Sequence, residues 1–166
     1  MIRFEALTLP AAIEVCRTMR ARDAAALAAM LGPKLERDSF AVSRWQTDGA
    51  AWTMVDEYGP LAIGGLEFKS PWCGAMWFLA HARLDASPST DQSWRKMLRQ
   101  TRTVIANALD PANPHARQRV EAAVLSDWTA ARSLVQVLGF EHEGTCRRAG
   151  SAGEDIEIWA RVAEGK

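Results

Sequence analysis

Apolar and polar positions along the chain switch repeatedly between a period near two and a period near 3.6. Ile2, Phe4 and Ala6 alternate with Arg3 and Glu5, which predicts a short half-buried strand. Thr8 then stands where a helix cap belongs, with Pro10 compatible with the first turn. Ile13, Cys16 and Met19 follow at helical spacing, and Arg17 and Arg20 are expected to face outward. Asp23 is expected to start a second helix that runs to Met30 and stops at Gly32-Pro33. A third helix is predicted over Leu35 to Trp45, with Phe40 or Val42 inward and Asp48-Gly49 as its end.

From Ala51 the period becomes two. AWTMVDE, the turn Tyr58-Gly59-Pro60 and LAIGGLEFK read as an antiparallel hairpin, in which Gly64-Gly65 marks a bulge or a close backbone approach. After SPWCG, residues Ala75 to Leu84 predict a strand buried on much of both faces, and therefore central in its sheet. SPSTDQ starts a helix, with Ser89 as cap and Gln92 reaching back three residues later. Trp94, Met97, Leu98, Thr101, Val104, Ile105 and Leu109 form its apolar stripe, opposite Arg95, Lys96, Arg99 and Arg102. DPANPH is a loop, Arg119 to Leu125 a strand, Asp127 to Leu138 a helix with Ser126 and Asp127 as caps, and Phe140 to Arg147 a strand. Gly139 suits the left-handed conformation that closes that helix. In DIEIWARV, Ile156, Ile158, Ala160 and Val162 alternate with Glu157, Trp159 and Arg161 as a last strand. This order excludes an all-helical bundle and a purely parallel doubly wound sheet, and leaves a mixed α/β or α+β sheet covered by helices.

Composition narrows the functional classes. A chain of 166 residues with 48% apolar content suits one domain over residues 1–166. Twenty basic and twenty acidic side chains cancel, so no global field draws the protein to nucleic acid or to a lipid surface. The apolar runs are shorter than a membrane span, and the start MIRFEALTLP lacks the order of a secretory signal, so a cytoplasmic location is expected. Cys16, Cys73 and Cys146 are an odd, scattered set, which predicts free thiols. With His81, His115 and His142 they show no short ligand spacing, so no metal site is expected.

Three stretches, GPLAIGGLEF, RVEAAVLSDWTAARSLVQVLGFEHEGTCRR and GEDIEIWARV, resemble the GNAT superfamily of acyl-CoA N-acyltransferases, and the likeness in element order extends over nearly the whole chain. The resemblance implies about seven strands, largely antiparallel with a parallel central pair, covered by helices. It implies acyl transfer from acetyl-CoA to an amine, with the cofactor in a cleft where the fourth and fifth strands splay. It further implies a glycine-rich turn that offers N–H groups to the pyrophosphate, a carboxylate or water as base, and often a tyrosine as acid.

At those positions this chain differs. LDASPSTDQSWRKML contains no glycine, and Gln92 and Trp94 stand where the family places it. Trp128 or Thr129 replaces the usual asparagine, Val135 the usual tyrosine, and the one tyrosine, Tyr58, falls in a hairpin turn. Ser89, Thr90, Gln92, Arg95, Trp128 and Thr129 are the cofactor-binding candidates that the resemblance implies. Glu67, His81 and Asp85, on or near strands bordering the implied cleft, are the candidates for base catalysis, and Trp72 and Trp94 for lining a pocket or an interface. The expected function is an atypical acyl-CoA-dependent N-acetyltransferase acting on an amine. The alternative is a catalytically degenerate GNAT-like protein of phage or prophage type, located in the virion, with an assembly or protein-binding role. The expected partner is accordingly a small amine or a protein, with neither nucleic acid nor membrane involved and homo-oligomers open.

Overall fold

The computed structural model describes residues 1–86 and 90–164, leaving the side chains of 86, 90 and 91 out of account. After strand β1 (Arg3–Ala6), Thr8 caps helix α1 (Leu9–Thr18) by accepting the Ala11 N–H at 3.4 Å. Helix α2 (Ala21–Leu31) follows, then α3 (Arg37–Trp45), whose first N–H groups at Asp38 and Ser39 are taken by the Glu36 carboxylate at 3.1 and 2.6 Å. Those hydrogen bonds, the ones from Ser39 foremost, hold the Glu36 carboxyl below its ordinary range. Strands β2 (Gly49–Asp56) and β3 (Gly59–Phe68) form the hairpin, closed by Gly59 at φ 113° and by Asp56 accepting the Tyr58 N–H at 2.8 Å. Strand β4 (Cys73–Ala80), the short helix α4 (Arg83–Ala86) and the long helix α5 (Thr90–Leu109) come next. The chain ends through β5 (Arg119–Leu125), α6 (Thr129–Val137), β6 (Glu141–Cys146) and β7 (Ile156–Val162).

The strands form one mixed sheet in the order β1-β2-β3-β4-β5-β7-β6, antiparallel except for the central β4–β5 pair. The expectation of a mixed sheet with a parallel central pair is met. One face is covered by α5 and α6, with Met97, Ile105, Leu109, Val135 and Leu138 packed over Trp52, Ala62, Leu66, Val120 and Trp159. The other face carries α1 and α3 over Ile63 and Leu79, and α2 over Leu125 and Ile156. Gly139 does adopt a left-handed φ of 85° at the end of α6, where the Phe140 N–H bonds back to Val135 at 3.0 Å.

Several boundaries differ from the sequence reading, each for a tertiary reason. Helix α2 starts at Ala21, so Asp23 lies inside its first turn rather than before it. Arg20 turns inward, 14% exposed, because a bridge between Met19 and His81 pins the α1–α2 junction to the end of β4 and Asp23 waits there as its partner. Helix α3 starts at Arg37, since Glu36 supplies the cap, and Leu35 stays outside it. Strand β2 begins at Gly49, which still pairs with Glu67. Strand β4 runs Cys73–Ala80, ending before Leu84; that residue enters the core from α4 instead. The hairpin's register shift falls between Met54 and Val55, while Gly64 and Gly65 give close approach. A Cβ on Gly64 would lie 2.6 Å from the Trp52 ring, and one on Gly65 2.5 Å from the Ala50 carbonyl. Helix α6 is preceded by Trp128 with no side-chain cap, so Ser126 and Asp127 do not cap it, and Asp127 pairs with Arg22. Strand β6 spans Glu141–Cys146, a residue inside each expected end. Strand β7 is buried on both faces: Trp159 packs under α6 while Ile156 meets α2, so simple alternation does not describe it. The expected cap at Ser89 lies outside the described residues. Among the described residues no helix is long and apolar enough to cross a membrane.

Candidate active site

The parallel pairing of β4 with β5 is brief. Cys73, Gly74 and Ala75 pair with Arg119, Val120 and Glu121, and the strands then part while each continues, β4 against β3 to Ala80 and β5 against β7 to Leu125. A cleft of about 650 Å³ opens in the gap and reaches both faces of the sheet. Small side chains keep it open, since Ala122 and Ala123 on β5 and Ala130 and Ala131 on α6 all border it.

The cleft edge of β4 has hydrogen-bonding capacity to spare. Ala80 turns that way, donating its N–H to Asp23 Oδ2 at 3.0 Å and accepting the Arg20 N–H on its carbonyl at 2.9 Å. Strand alternation turns Phe78, two residues back, to the same side, where β5 no longer pairs with it. Two indole N–H groups of cleft-lining residues, Trp52 Nε1 and Trp77 Nε1, are buried without a hydrogen-bond partner among the described residues.

Charge collects at the two ends. At the open end Asp23, 2% exposed, takes the Arg20 guanidinium on both oxygens at 2.8 and 3.1 Å, and Asp85 takes it at 3.3 Å. Burial opposes the Arg20 charge, but the hydrogen bond and charge of Asp23, aided by Asp85, outweigh it and raise the guanidinium pKa. The same guanidinium lies 5.9 Å from the Phe78 ring and 5.7 Å from the Trp94 ring. Those rings continue a chain of aromatic contacts, Phe4 to Trp52 to Phe78 to Trp94, at centroid distances of 5.4, 6.0 and 5.8 Å. At the closed end, where the strands fork, Glu121 bonds Lys69 at 3.3 Å and Arg119 at 3.4 Å.

Of the residues singled out from sequence, Asp85, Trp94 and Trp128 line this cleft. Glu67 and His81 do not. Glu67 points toward α3 and bonds Arg44 at 2.8 Å, while His81 Nδ1 accepts the Arg83 N–H at 2.9 Å just past β4. Burial and the Arg83 charge push the His81 pKa down against the opposing charges of Glu14 and Asp56. Gln92 and Arg95 lie exposed on α5, and Thr129 is exposed at the start of α6. Thr90 opens α5 with its side chain outside the description, and Ser89 lies outside the described residues. Trp72 is exposed away from the cleft, and Val135 borders it. The residues missed from sequence are Arg20, Asp23, Lys69 and Glu121. Glu121 had a signal, being the one charged residue among the apolar positions that follow Arg119 in RVEAAVL. Asp23 had only its i,i+3 spacing to Arg20, because its other partner, the Ala80 N–H, lies in β4.

A seven-strand mixed sheet forked at a short parallel pair, with helices on both faces, is the GNAT fold. No family model matches the chain, and no curated protein matches it in sequence. Solved structures do match over nearly its full length. The ribosomal-protein-S18-alanine N-acetyltransferase of Escherichia coli is 14% identical, with a TM-score of 0.65 over 100% of this chain and 96% of that one. A Salmonella typhimurium structure assigned as an acetyltransferase and solved with its cofactor acetyl-CoA is 11% identical, with a TM-score of 0.70 over 99% and 95%. The SpeG spermidine N-acetyltransferase of Vibrio cholerae is 10% identical, with a TM-score of 0.67 over 98% and 94%.

Proposed function

We propose that the protein is an N-acyltransferase that moves an acyl group, acetyl in the simplest case, from a coenzyme A thioester to an amine. The observation that carries this reading is the fork. Parted strands with an unpaired β4 edge at Phe78 form a slot for a ligand that is itself amide-bearing and extended, as the pantetheine arm is. The unpartnered indole N–H groups of Trp52 and Trp77 add donors without acceptors beside that slot, and Met97, Leu134 and Val124 provide apolar walls. These features fit the arm. Phe78 would hold its amides and α5 and α6 would flank it. The cofactor, when bound, supplies an activated acyl thioester. This chain's own residues bind, orient and exclude water: the Arg20–Asp23 pair fixes the end of β4, and so the edge on which a ligand would lie. Arg95 and Arg99, exposed in the first half of α5, would meet the phosphates, while Lys96 between them donates to the Ile2 carbonyl.

Calorimetric titration with acetyl-CoA tests the reading. Micromolar binding that weakens on charge reversal at Arg95 and Arg99, together with thiol release in the presence of an amine, supports it. No heat at millimolar acetyl-CoA refutes it. A second reading, binding without transfer, is favoured by one observation: the only tyrosine, Tyr58, is 72% exposed in the β2–β3 turn, and Val135 borders the cleft. Acetyl-CoA binding with no thiol release across a broad amine panel would select that second reading.

A further inference from the structure

The cleft's half on the α2 and α3 side has walls of one character. Ala26, Leu27 and Met30 from α2, Phe40 from α3, and Trp77 and Leu79 from β4 face it, without a charged group among them. The Arg44 guanidinium, paired with Glu67, lies against the Phe40 and Trp77 rings at 5.3 and 5.7 Å but does not line the cleft. Among the described lining residues charge returns only at the two ends. At the open end, the Arg20 guanidinium already holds both Asp23 and Asp85, and the Asp85 side chain is 62% exposed, far from where the strands fork. At the fork, alternation puts Glu121 and Ala123 on the same face as Ala75 and Trp77, so that the Glu121 carboxylate, 25% exposed, stands beside the point where the gap begins.

We propose that the acceptor is a hydrophobic primary amine, with its apolar body against Leu27, Met30, Phe40 and Trp77 and its amino group hydrogen-bonded to Glu121. This rests on the acyltransfer reading and names the substrate class for the same cleft. The physical case is one of matching surfaces. An aryl or alkyl body replaces water on walls that are apolar apart from the Trp77 indole N–H. A polyamine would lay extra ammonium groups along those walls, with no carboxylate among the described lining residues between the two ends to meet them. A neutral acyl chain would suit the walls but leave Glu121 without use. Lys69 and Arg119 hold Glu121 in place, and its remaining lone pairs accept an N–H from the ammonium form in which a primary amine arrives at neutral pH. Loss of another of the ammonium's protons to water then frees the nitrogen lone pair to face the gap.

Phenethylamine and spermidine are the probes, titrated calorimetrically into the intact protein with and without acetyl-CoA. Phenethylamine is expected to bind at least tenfold more tightly than spermidine. Glu121→Ala is expected to weaken phenethylamine by about tenfold or more, the loss of a charge-assisted hydrogen bond, without changing the acetyl-CoA heat. Leu27→Asp, at a partly buried position on α2 that packs beside the α1–α3 core, is expected to weaken phenethylamine similarly and to strengthen spermidine while an unchanged acetyl-CoA heat reports an intact fold. Spermidine binding as tightly as phenethylamine, or phenethylamine binding that neither variant alters, would overturn the proposal. Phenethylamine binding without any acetyl-CoA binding would sink the acyltransfer reading and leave the amine site standing. Acetyl-CoA binding with no phenethylamine binding would do the reverse.

Discussion

Asp23 is the residue whose loss should cost this fold most for a single polar atom group. Its carboxylate is 2% exposed, takes Arg20 on both oxygens at 2.8 and 3.1 Å, and accepts the Ala80 N–H at 3.0 Å. Asp23→Ala removes all three bonds at once. A buried charge deprived of its partner costs about 3–5 kcal/mol, and the orphaned Ala80 N–H belongs to the same loss. Arg20 would retain only Asp85, at 3.3 Å and largely in solvent. For a chain of this length about 1 kcal/mol lowers the melting temperature by roughly 2–4 °C, so Asp23→Ala should melt roughly 6–20 °C below the parent. Asp23→Asn keeps an acceptor for Ala80 and should fall between. Asp85→Ala removes an exposed partner and should cost no more than about 1 kcal/mol. Thermal and urea unfolding of the three variants in parallel give the comparison. If Asp23→Ala proves no more destabilising than Asp85→Ala, the claim that burial makes this pair matter is wrong.

Three further outcomes are expected. Gly65→Ala puts a Cβ 2.5 Å from the Ala50 carbonyl, a backbone atom that cannot swing away, and should cost about 1–3 kcal/mol in urea unfolding, whereas Gly144→Ala, with nothing within 4 Å, should be near neutral. Burial lifts the Cys16 thiol to about 11 against the opposing charges of Arg37 and Arg44, so a thiol reagent at pH 8 should label the exposed Cys146 readily and Cys16 only on unfolding. Labelling of Cys16 at the rate of Cys146 would contradict its placement. His81, depressed first by burial and then by Arg83, should titrate in NMR below the ordinary histidine value of 6.5. Because the unfolded chain then binds the proton more readily, His81 withdraws stability as pH falls from 6.5 through the folded value, and His81→Gln should flatten that part of the stability curve.

Local chemistry made much of the fold readable. Thr8, Gly59 and Gly139 act through bonds and torsions within a few residues, and each does what its residue type predicts. The long stripe of α5 was legible because 3.6-residue periodicity persists over five turns. Boundaries set by contact from elsewhere were not. Strand β4 stops at Ala80 because α2 takes its last N–H through Asp23, and Arg20 turns inward because Asp23 and the rings of Phe78 and Trp94 await it. Asp85 was found from sequence because it follows the end of β4, and Trp94 because a bulky ring stands in the turn-to-helix segment where the resemblance implies glycine. Lys69 and Glu121, 52 residues apart, meet only when β4 and β5 pair.

The amino-acid pattern alone determined the element order, the hairpin, the free thiols and a sheet too mixed for a purely parallel fold, since these follow from periodicity, turn torsions and spacing. Only the tertiary structure decided where the parallel pair ends, that a cleft opens there, and which charges face it. Such features depend on residues brought together from separate elements, whose distances no local pattern encodes. The apolar wall between two charged ends is of that kind.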